Sequence, residues 1–466
     1  MSGPVEKHPK RWRWRFEWLF QTGLEKAVAW LPGPFVFRLG ELLGGLVWRC
    51  MPQRRNTVLR NLRIAFCGEH DLPALRRMAQ DTFRRTGANL FSAARTARLA
   101  PAQLGSVIQI ENLELLEQAL AAGNGVVLLL SHMGNWELLS RIVHLFPPGA
   151  RAGAFYRPLN NPLLDQNVLK RRQADGTRMF SKRDNPHLVA GFLREGGIVG
   201  ILADQRVGAP GEVVRFFGRL TRASPLPSLL ARRAKSSVLA LSLTTVAPGR
   251  WSARFVATAT PPDSVGLGDA ETQHEEAAGK DARATSGPGI LPGASVQTTH
   301  RTKPTVLAAP PNTDGCMVTL EQAMQRSPLD VFWLQERWKV YIEPDFSIQD
   351  WLGTQAPGSG KPHRALIWLA DAPPAWRLPA AWVHPDVTYE VVLEPGHDLP
   401  AWLPEATLKH SAPRGATRKD LHKLLAAMDL AAALPLDYIL TSGAPQSLTK
   451  ASRRECIPLV SLPHPS

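Results

Sequence analysis

Val126-Val127-Leu128-Leu129-Leu130 is an unbroken aliphatic run that ends abruptly in a polar turn, Ser131-His132-Met133-Gly134-Asn135. A run this short is expected of a strand buried on both faces. Further short apolar runs lie at 198–202, 238–243 and 254–259, with helical stretches between some of them. Strands alternating with helices point to an α/β layer structure, a sheet covered by helices.

The chain ahead of this region reads differently. Residues 54–66 carry Val58, Leu62 and Phe66 at helical spacing, and 71–99 and 111–121 also read as helices. At the start, Lys10-Arg11-Trp12-Arg13-Trp14-Arg15-Phe16 interleaves cations with aromatics. Apolar residues continue to Trp48 but are interrupted by Glu25, Lys26, Arg38 and Glu41. The longest uncharged stretch, 27–37, contains Pro32 and Pro34 and falls short of the roughly 20 residues a span requires. No small-residue cleavage site follows a compact apolar core, so a removed secretory signal is not expected. Residues 1–48 therefore read as a membrane-interface anchor, with tryptophans at headgroup level and arginines on lipid phosphates. A single tilted span is the alternative. The formal charge of +15 favours an anionic partner: a phospholipid surface, a phosphorylated substrate, an acidic carrier protein or nucleic acid.

Residues 49–344 are expected to form the main α/β domain. Within it, 261–313 is rich in Gly, Ala, Ser, Thr and Pro, nearly free of large apolar residues, and reads as a flexible insertion. Order should resume with a helix at 318–325 and the apolar run 331–334. Residues 345–363 read as a linker. Residues 364–466 carry strand candidates at 365–369, 389–393 and 438–441 and a helix at 419–434, which predicts a second small α/β domain. The four cysteines, Cys50, Cys67, Cys316 and Cys456, are far apart and form no CxxC pair, so neither a metal site nor a disulfide framework is expected.

The segment with chemical content follows the first strand: His132, then Gly134 for a tight turn, Asn135 as a helix N-cap, and Glu137 in the first turn of a helix predicted over 136–146. Ligands favour this edge of an α/β sheet. A turn between His132 and Glu137 can bring imidazole and carboxylate together. A carboxylate on one ring nitrogen fixes the tautomer and leaves the other to take a proton from a substrate hydroxyl. Neutral imidazole is required, so activity should fall at acid pH. The alternative for His132 is an ordinary hydrogen-bonded turn residue. No G-x-S-x-G elbow is present and no cysteine lies near His132, which favours direct reaction of the two substrates over a covalent enzyme intermediate.

This segment resembles the HxxxxD/E motif of the lysophospholipid acyltransferase superfamily, in the branch that contains the late acyltransferases of lipid A biosynthesis. The resemblance spans roughly residues 15–342 in ordered blocks. They are Arg54-Arg55 with Asn61-Leu62-Arg63 and Phe66, Tyr156-Arg157-Pro158 with Asn161-Pro162, Gly200 to Gln205, Phe216-Phe217-Gly218, and Phe332 to Lys339. It implies a glycerolipid-acyltransferase-like mixed sheet flanked by helices; the N-terminal membrane-associating helical segment and the second small α/β domain at the C-terminus, read above from the residues, complete the expected fold. It implies His132 as general base, Glu137 as its partner, and Arg157, Arg172, Asp204 and Gln205 around the substrate. The two arginines suit a phosphorylated headgroup, and Asp204 is placed to pair with one of them. No cofactor is implied beyond acyl-ACP or acyl-CoA as co-substrate. The implied partners are an acyl carrier protein, a glycolipid acceptor and an anionic membrane surface at the cytoplasmic face of the inner membrane, with no nucleic acid. Another lipid acceptor, such as a phosphoinositide mannoside, or a thioesterase reaction fits the same residues. Three departures stand out. The closing block often carries His-Arg-Arg where this chain has Gln335-Glu336-Arg337, the insertion at 261–313 is not typical, and the C-terminal domain is an addition that faintly resembles the nucleotide-sugar half of lipopolysaccharide heptosyltransferases.

Overall fold

The computed structural model describes residues 11–66, 68–181, 184–208, 211–258, 311–338, 362–373, 375–403, 407–455 and 457–462. The expected insertion falls almost wholly, and the expected linker mostly, outside the described residues.

Four helices come first: α1 (Arg11–Ala29), α2 (Gly33–Cys50), α3 (Pro52–Ala65) and α4 (Leu72–Thr96). Prolines open α2 and α3, and Asp71 caps α4 by accepting from the Ala74 amide at 2.7 Å. The α2–α4 crossing is set by glycines. A methyl on Gly40 would lie 2.6 Å from Gly87 O and Ala88 Cα, so only hydrogen fits. The opposite faces of α1 and α2 are apolar and uncovered: Trp12 (75% exposed), Phe16 (65%), Phe20 (65%) and Leu42 (70%) form part of them. No described helix is long and apolar enough to cross a membrane.

The chain then builds β1 (Ile108–Glu111), α5 (Leu113–Ala121), β2 (Val126–Leu130), β3 (Ala152–Tyr156), α6 (Pro162–Gln173), β4 (Arg178–Ser181), α7 (Pro186–Arg194) and β5 (Ile198–Leu202). A hairpin of β6 (Glu212–Phe216) and β7 (Arg219–Ala223) follows, then α8 (Leu226–Ala234), β8 (Ser237–Ala247), β9 (Arg250–Ala257) and α9 (Thr313–Gln325). These strands, the hairpin aside, form one seven-stranded sheet in the order β1-β9-β8-β2-β5-β3-β4. Strands β8, β2, β5, β3 and β4 run parallel, while β9 is antiparallel to β8 and carries β1 with it. The aliphatic run of β2 is central and buried throughout, as a strand with helices on both faces requires.

Residues 136–146 do not form the predicted α-helix. They make two short 3₁₀ turns, Trp136–Ser140 and Ile142–Leu145. Asn135 caps neither; its amide donates to Thr96 Oγ1 at the end of α4. Arg141 is drawn the same way, donating to Thr96 O and Leu99 O at 2.8 Å each and to Asp175. The start of the segment and its midpoint are both tied to the end of α4, which breaks the segment into two short turns.

The C-terminal unit is β10 (His363–Trp368), β11 (Val387–Leu393), β12 (Leu408–Ser411), α10 (Arg418–Leu430), β13 (Tyr438–Thr441), α11 (Gln446–Glu455) and β14 (Leu459–Ser461). Its five strands are all parallel, in the order β12-β11-β10-β13-β14. Alternate residues serve two cores. Leu366, Trp368 and Ile439 pack on α10 and α11, whereas Ile367, Val391 and Leu440 pack with Trp376, Trp382 and Leu220 of β7.

Candidate active site

Strands β2 and β5 pair in parallel, with Val126 opposite Ile198 and Leu130 opposite Leu202. Two residues beyond each strand this register brings out His132 and Asp204 side by side. The His132 Nδ1–H donates to Asp204 Oδ1 at 2.7 Å. The expected contact between His132 and Glu137 is therefore corrected: the carboxylate on the ring is Asp204, from the neighbouring strand. Glu137 faces elsewhere because the 3₁₀ turn beginning at Trp136 carries it towards α6.

The ring is 15% exposed, and Asp204 is fully buried. Burial alone would raise the Asp204 carboxyl. The His132 ring and the Arg337 guanidinium outweigh that and hold it well below the usual carboxylate range. Arg337 donates to Asp204 Oδ2 at 2.6 Å and to Asp204 O at 3.2 Å, and its third arm reaches Phe332 O at 2.9 Å. Asp204 thus pairs with neither Arg157 nor Arg172, the two partners anticipated for it. With Nδ1 protonated towards Asp204, Nε2 carries the lone pair, and the exposed Gln205 amide donates to it at 3.2 Å.

The turn around His132 is locked by a second chain segment. Phe332 N–H donates to His132 O at 2.7 Å and Gly134 N–H to Asp330 O at 2.8 Å. Gly134 sits at φ +55°, and a Cβ there would lie 2.7 Å from Leu243 O, so the turn needs glycine. Trp136 stands edge-on to the imidazole with ring centroids 5.5 Å apart, and Phe332 packs against Trp136.

Glu137 and Arg172 form a two-pronged ion pair, Nη2 to Oε1 at 2.6 Å and Nε to Oε2 at 3.2 Å. Two cavities meet at this pair. One, of about 350 Å³, lies between α1, α4 and α6 and is bounded by Leu24, Val28, Leu90, Ala94 and Val168. The other, a slot of about 70 Å³ against the sheet, is lined by Leu128, Leu130, Ala154, Met179 and Leu241, with Gly200 leaving room for it. Arg157 is exposed and makes no hydrogen bond or ion pair among the described residues. The turn that carries it is held by Asp165, which accepts from Tyr156 Oη–H and from Leu159 N–H. Cys316 offers no nucleophile: it is buried, and burial pushes its thiol up to about 12.

Arg337 is a site residue that no local pattern in the sequence marks, and the partners of Asp204 are His132 and Arg337 in place of Arg157 or Arg172. The signal for the true pairing is present in the sequence: VVLLL-SH and IVGIL-AD have the same length, each strand followed by one residue and then the functional one.

Residues 5–272, more than half of the chain, match the family described as "Bacterial lipid A biosynthesis acyltransferase". Similar curated proteins include the lipid A biosynthesis palmitoleoyltransferase of Escherichia coli (strain K12), 26% identical over 196 residues, which is 42% of this chain and 62% of the relative. The lipid A biosynthesis lauroyltransferase of the same organism is 27% identical over 206 residues, 44% of this chain and 64% of the relative. The lipid A biosynthesis acyltransferase of Shigella flexneri is 26% identical over 196 residues, again 42% of this chain and 62% of the relative. The chain thus spans less than two thirds of the length of the curated relatives it matches.

Proposed function

The chain belongs to the bacterial lipid A biosynthesis acyltransferase family, and from that premise we propose that it moves a fatty acyl chain from acyl carrier protein or acyl-CoA to a hydroxyl of a lipid A precursor. The observation that carries this reading is the imidazole at the β2 tip, with Nδ1 held by Asp204 and Nε2 left as the proton acceptor. The acceptor hydroxyl displaces the Gln205 amide and gives its proton to Nε2 while its oxygen bonds to the thioester carbonyl carbon. The carbonyl re-forms as the C–S bond breaks, and the departing thiolate takes the proton back. An ester and a free thiol remain. Trp136 and Phe332 exclude water beside the ring, which favours transfer over hydrolysis.

The two cavities fit the two greasy substrates. The narrow slot is apolar and suits an alkyl chain, and the wider cavity, with Arg171 and Arg172 on its wall, suits an acylated, phosphorylated headgroup. Glu137 then acts on Arg172, orienting it where the cavities meet, rather than on the imidazole. The reaction is tested by incubating the protein with acyl carrier proteins of several chain lengths and a tetra-acylated precursor. A mass gain of one acyl group on the precursor is expected. Free fatty acid with no acylated lipid means a thioesterase and overturns the reading.

The same reading places the uncovered faces of α1 and α2 in the bilayer interface, on the cytoplasmic face of the inner membrane. The cations Arg15, Lys26 and Arg49 lie on the same two helices, available to lipid phosphates, while Arg13 and Arg38 are paired with Glu17 and Glu41. Burying one Phe is worth about 1.5–3 kcal/mol. Phe16→Ser with Phe20→Ser should therefore weaken co-flotation with anionic vesicles roughly a hundredfold or more, with folding unchanged. Undiminished flotation of that double variant would remove α1 from the membrane.

A further inference from the structure

Arg60, Asn61 and Arg63 are neighbours on α3, yet they reach into different parts of the molecule. Arg60 Nη1 and Arg63 Nη1 each lie 3.0 Å from one oxygen of Asp429 in the C-terminal unit. Arg63 also donates to the carbonyls of Asp429, in the last turn of α10, and of Ala432 and Ala433 just beyond it. Asn61 turns the other way and donates to Trp333 O at 2.7 Å and Gln335 O at 2.6 Å. Strand β7 repeats the arrangement. Arg219 Nε lies 2.6 Å from Asp437 Oδ1, whose other oxygen accepts from His363 Nδ1–H at 2.9 Å. Two residues along, Thr221 Oγ1–H donates to Arg337 O at 2.5 Å.

Residues 332–338 belong to no helix or strand. No full ladder of backbone bonds fixes Arg337, so its place depends on the side chains that hold its neighbours' carbonyls and its own. Two of those side chains, Asn61 and Thr221, sit on the two elements that grip the C-terminal unit, and Arg54, also on α3, donates to Leu334 O at 3.2 Å. Arg337 in turn holds Asp204, and Asp204 holds His132.

We propose that the C-terminal parallel sheet is a positioning unit for the active site: docked through Asp429 and Asp437, it fixes α3 and β7, and Asn61 and Thr221 pass that position to Arg337, Asp204 and His132. Asn61 and Thr221 are thus positioning residues. The kinetic part of this proposal rests on the acyl-transfer reading. The structural part does not.

The test uses the full chain and two measurements, hydrogen exchange by mass spectrometry and acyl-transfer kinetics, on Thr221→Val, Thr221→Ser and Arg60→Met. Arg60→Met keeps the aliphatic stem and touches neither Arg337 nor Asp204. Thr221→Val is expected to speed exchange in 331–338 and 203–206 and to lower kcat roughly ten- to hundredfold with KM little changed, since small misplacements at a reacting centre cost on that scale. Thr221→Ser should restore both. Arg60→Met should give the same pattern, which a merely local packing role would not produce. Exchange in 331–338 unchanged in folded Arg60→Met overturns the proposal. So does faster exchange with an unaltered kcat. Should the wild-type protein transfer no acyl chain, the functional reading fails, while the exchange of 331–338 still decides whether the sheet positions that segment. Should Arg60→Met fail to fold, Asp437→Asn replaces it as the variant on the sheet side, judged by the same two readings.

Discussion

His132→Ala is expected to lower acyl transfer by roughly 10²–10⁴-fold, the usual worth of a positioned general base. The loss should fall on kcat, because the ring is needed when the hydroxyl proton moves and not when the substrates dock. The variant should still fold. Asp204 keeps its bond to Arg337 when the imidazole is gone, so no buried carboxylate is left wholly uncompensated. The side chain removed is partly exposed at the end of a strand, and the turn around it stays bonded through Phe332 N–H and Gly134 N–H. Stopped-flow or quenched-time-point mass analysis of product, beside a denaturant titration, checks both halves. A purified His132→Ala protein that acylates at the wild-type rate would sink the mechanism. By contrast, Glu137→Gln should cost less, since it loosens Arg172 at the cavity wall and leaves His132 and Asp204 as they are.

Much of this site could be read along the chain, and the part that could not has a physical reason. The aliphatic run 126–130 announces a buried strand by length and composition, and His132 follows it at the edge where α/β sheets bind ligands. The orienting carboxylate lies 72 residues away and reaches the ring only through sheet pairing, so a search of local spacing found Glu137 instead. The 136–146 segment has helical periodicity, but its Asn135 and Arg141 are claimed by the end of α4, a tertiary demand that periodicity does not record. Strands β4, β12 and β14 are three or four residues long and have no pattern to detect. The second α/β unit was legible because β10, β11 and β13 are apolar enough to stand out. Its connection to the site was not, because that connection is made of buried arginines, and a sequence with 55 Lys and Arg residues does not mark which of them are buried.

Asp204→Asn separates the two roles of the buried carboxylate, and the second substitution Arg337→Met makes the separation visible. The donor-only Arg337 guanidinium claims the asparagine's one oxygen, so its NH2 faces Nδ1, and a donor there selects the wrong tautomer. In a serine protease the equivalent change costs about 10⁴ in kcat through the wrong tautomer, and a loss of roughly 10³–10⁴-fold is expected here. It also leaves Arg337, 1% exposed, without its counter-charge, and breaking a buried pair from one side typically costs about 3–5 kcal/mol of stability. Adding Arg337→Met removes that stranded charge. The double variant holds no unpaired charge, only a neutral amide beside an apolar side chain, so it should recover part of the fold's resistance to denaturant. It should not recover full transfer, because a neutral amide, even with its oxygen turned to Nδ1–H, does not stabilise the imidazolium as a carboxylate does. Recovery of stability together with activity would mean that Asp204 serves only to neutralise Arg337 and has no part in orienting His132. Stability without activity is the expected result: the His132 ring and the Arg337 guanidinium together keep the buried carboxylate ionised, and on the proposed mechanism its bond to Nδ1 orients the imidazole.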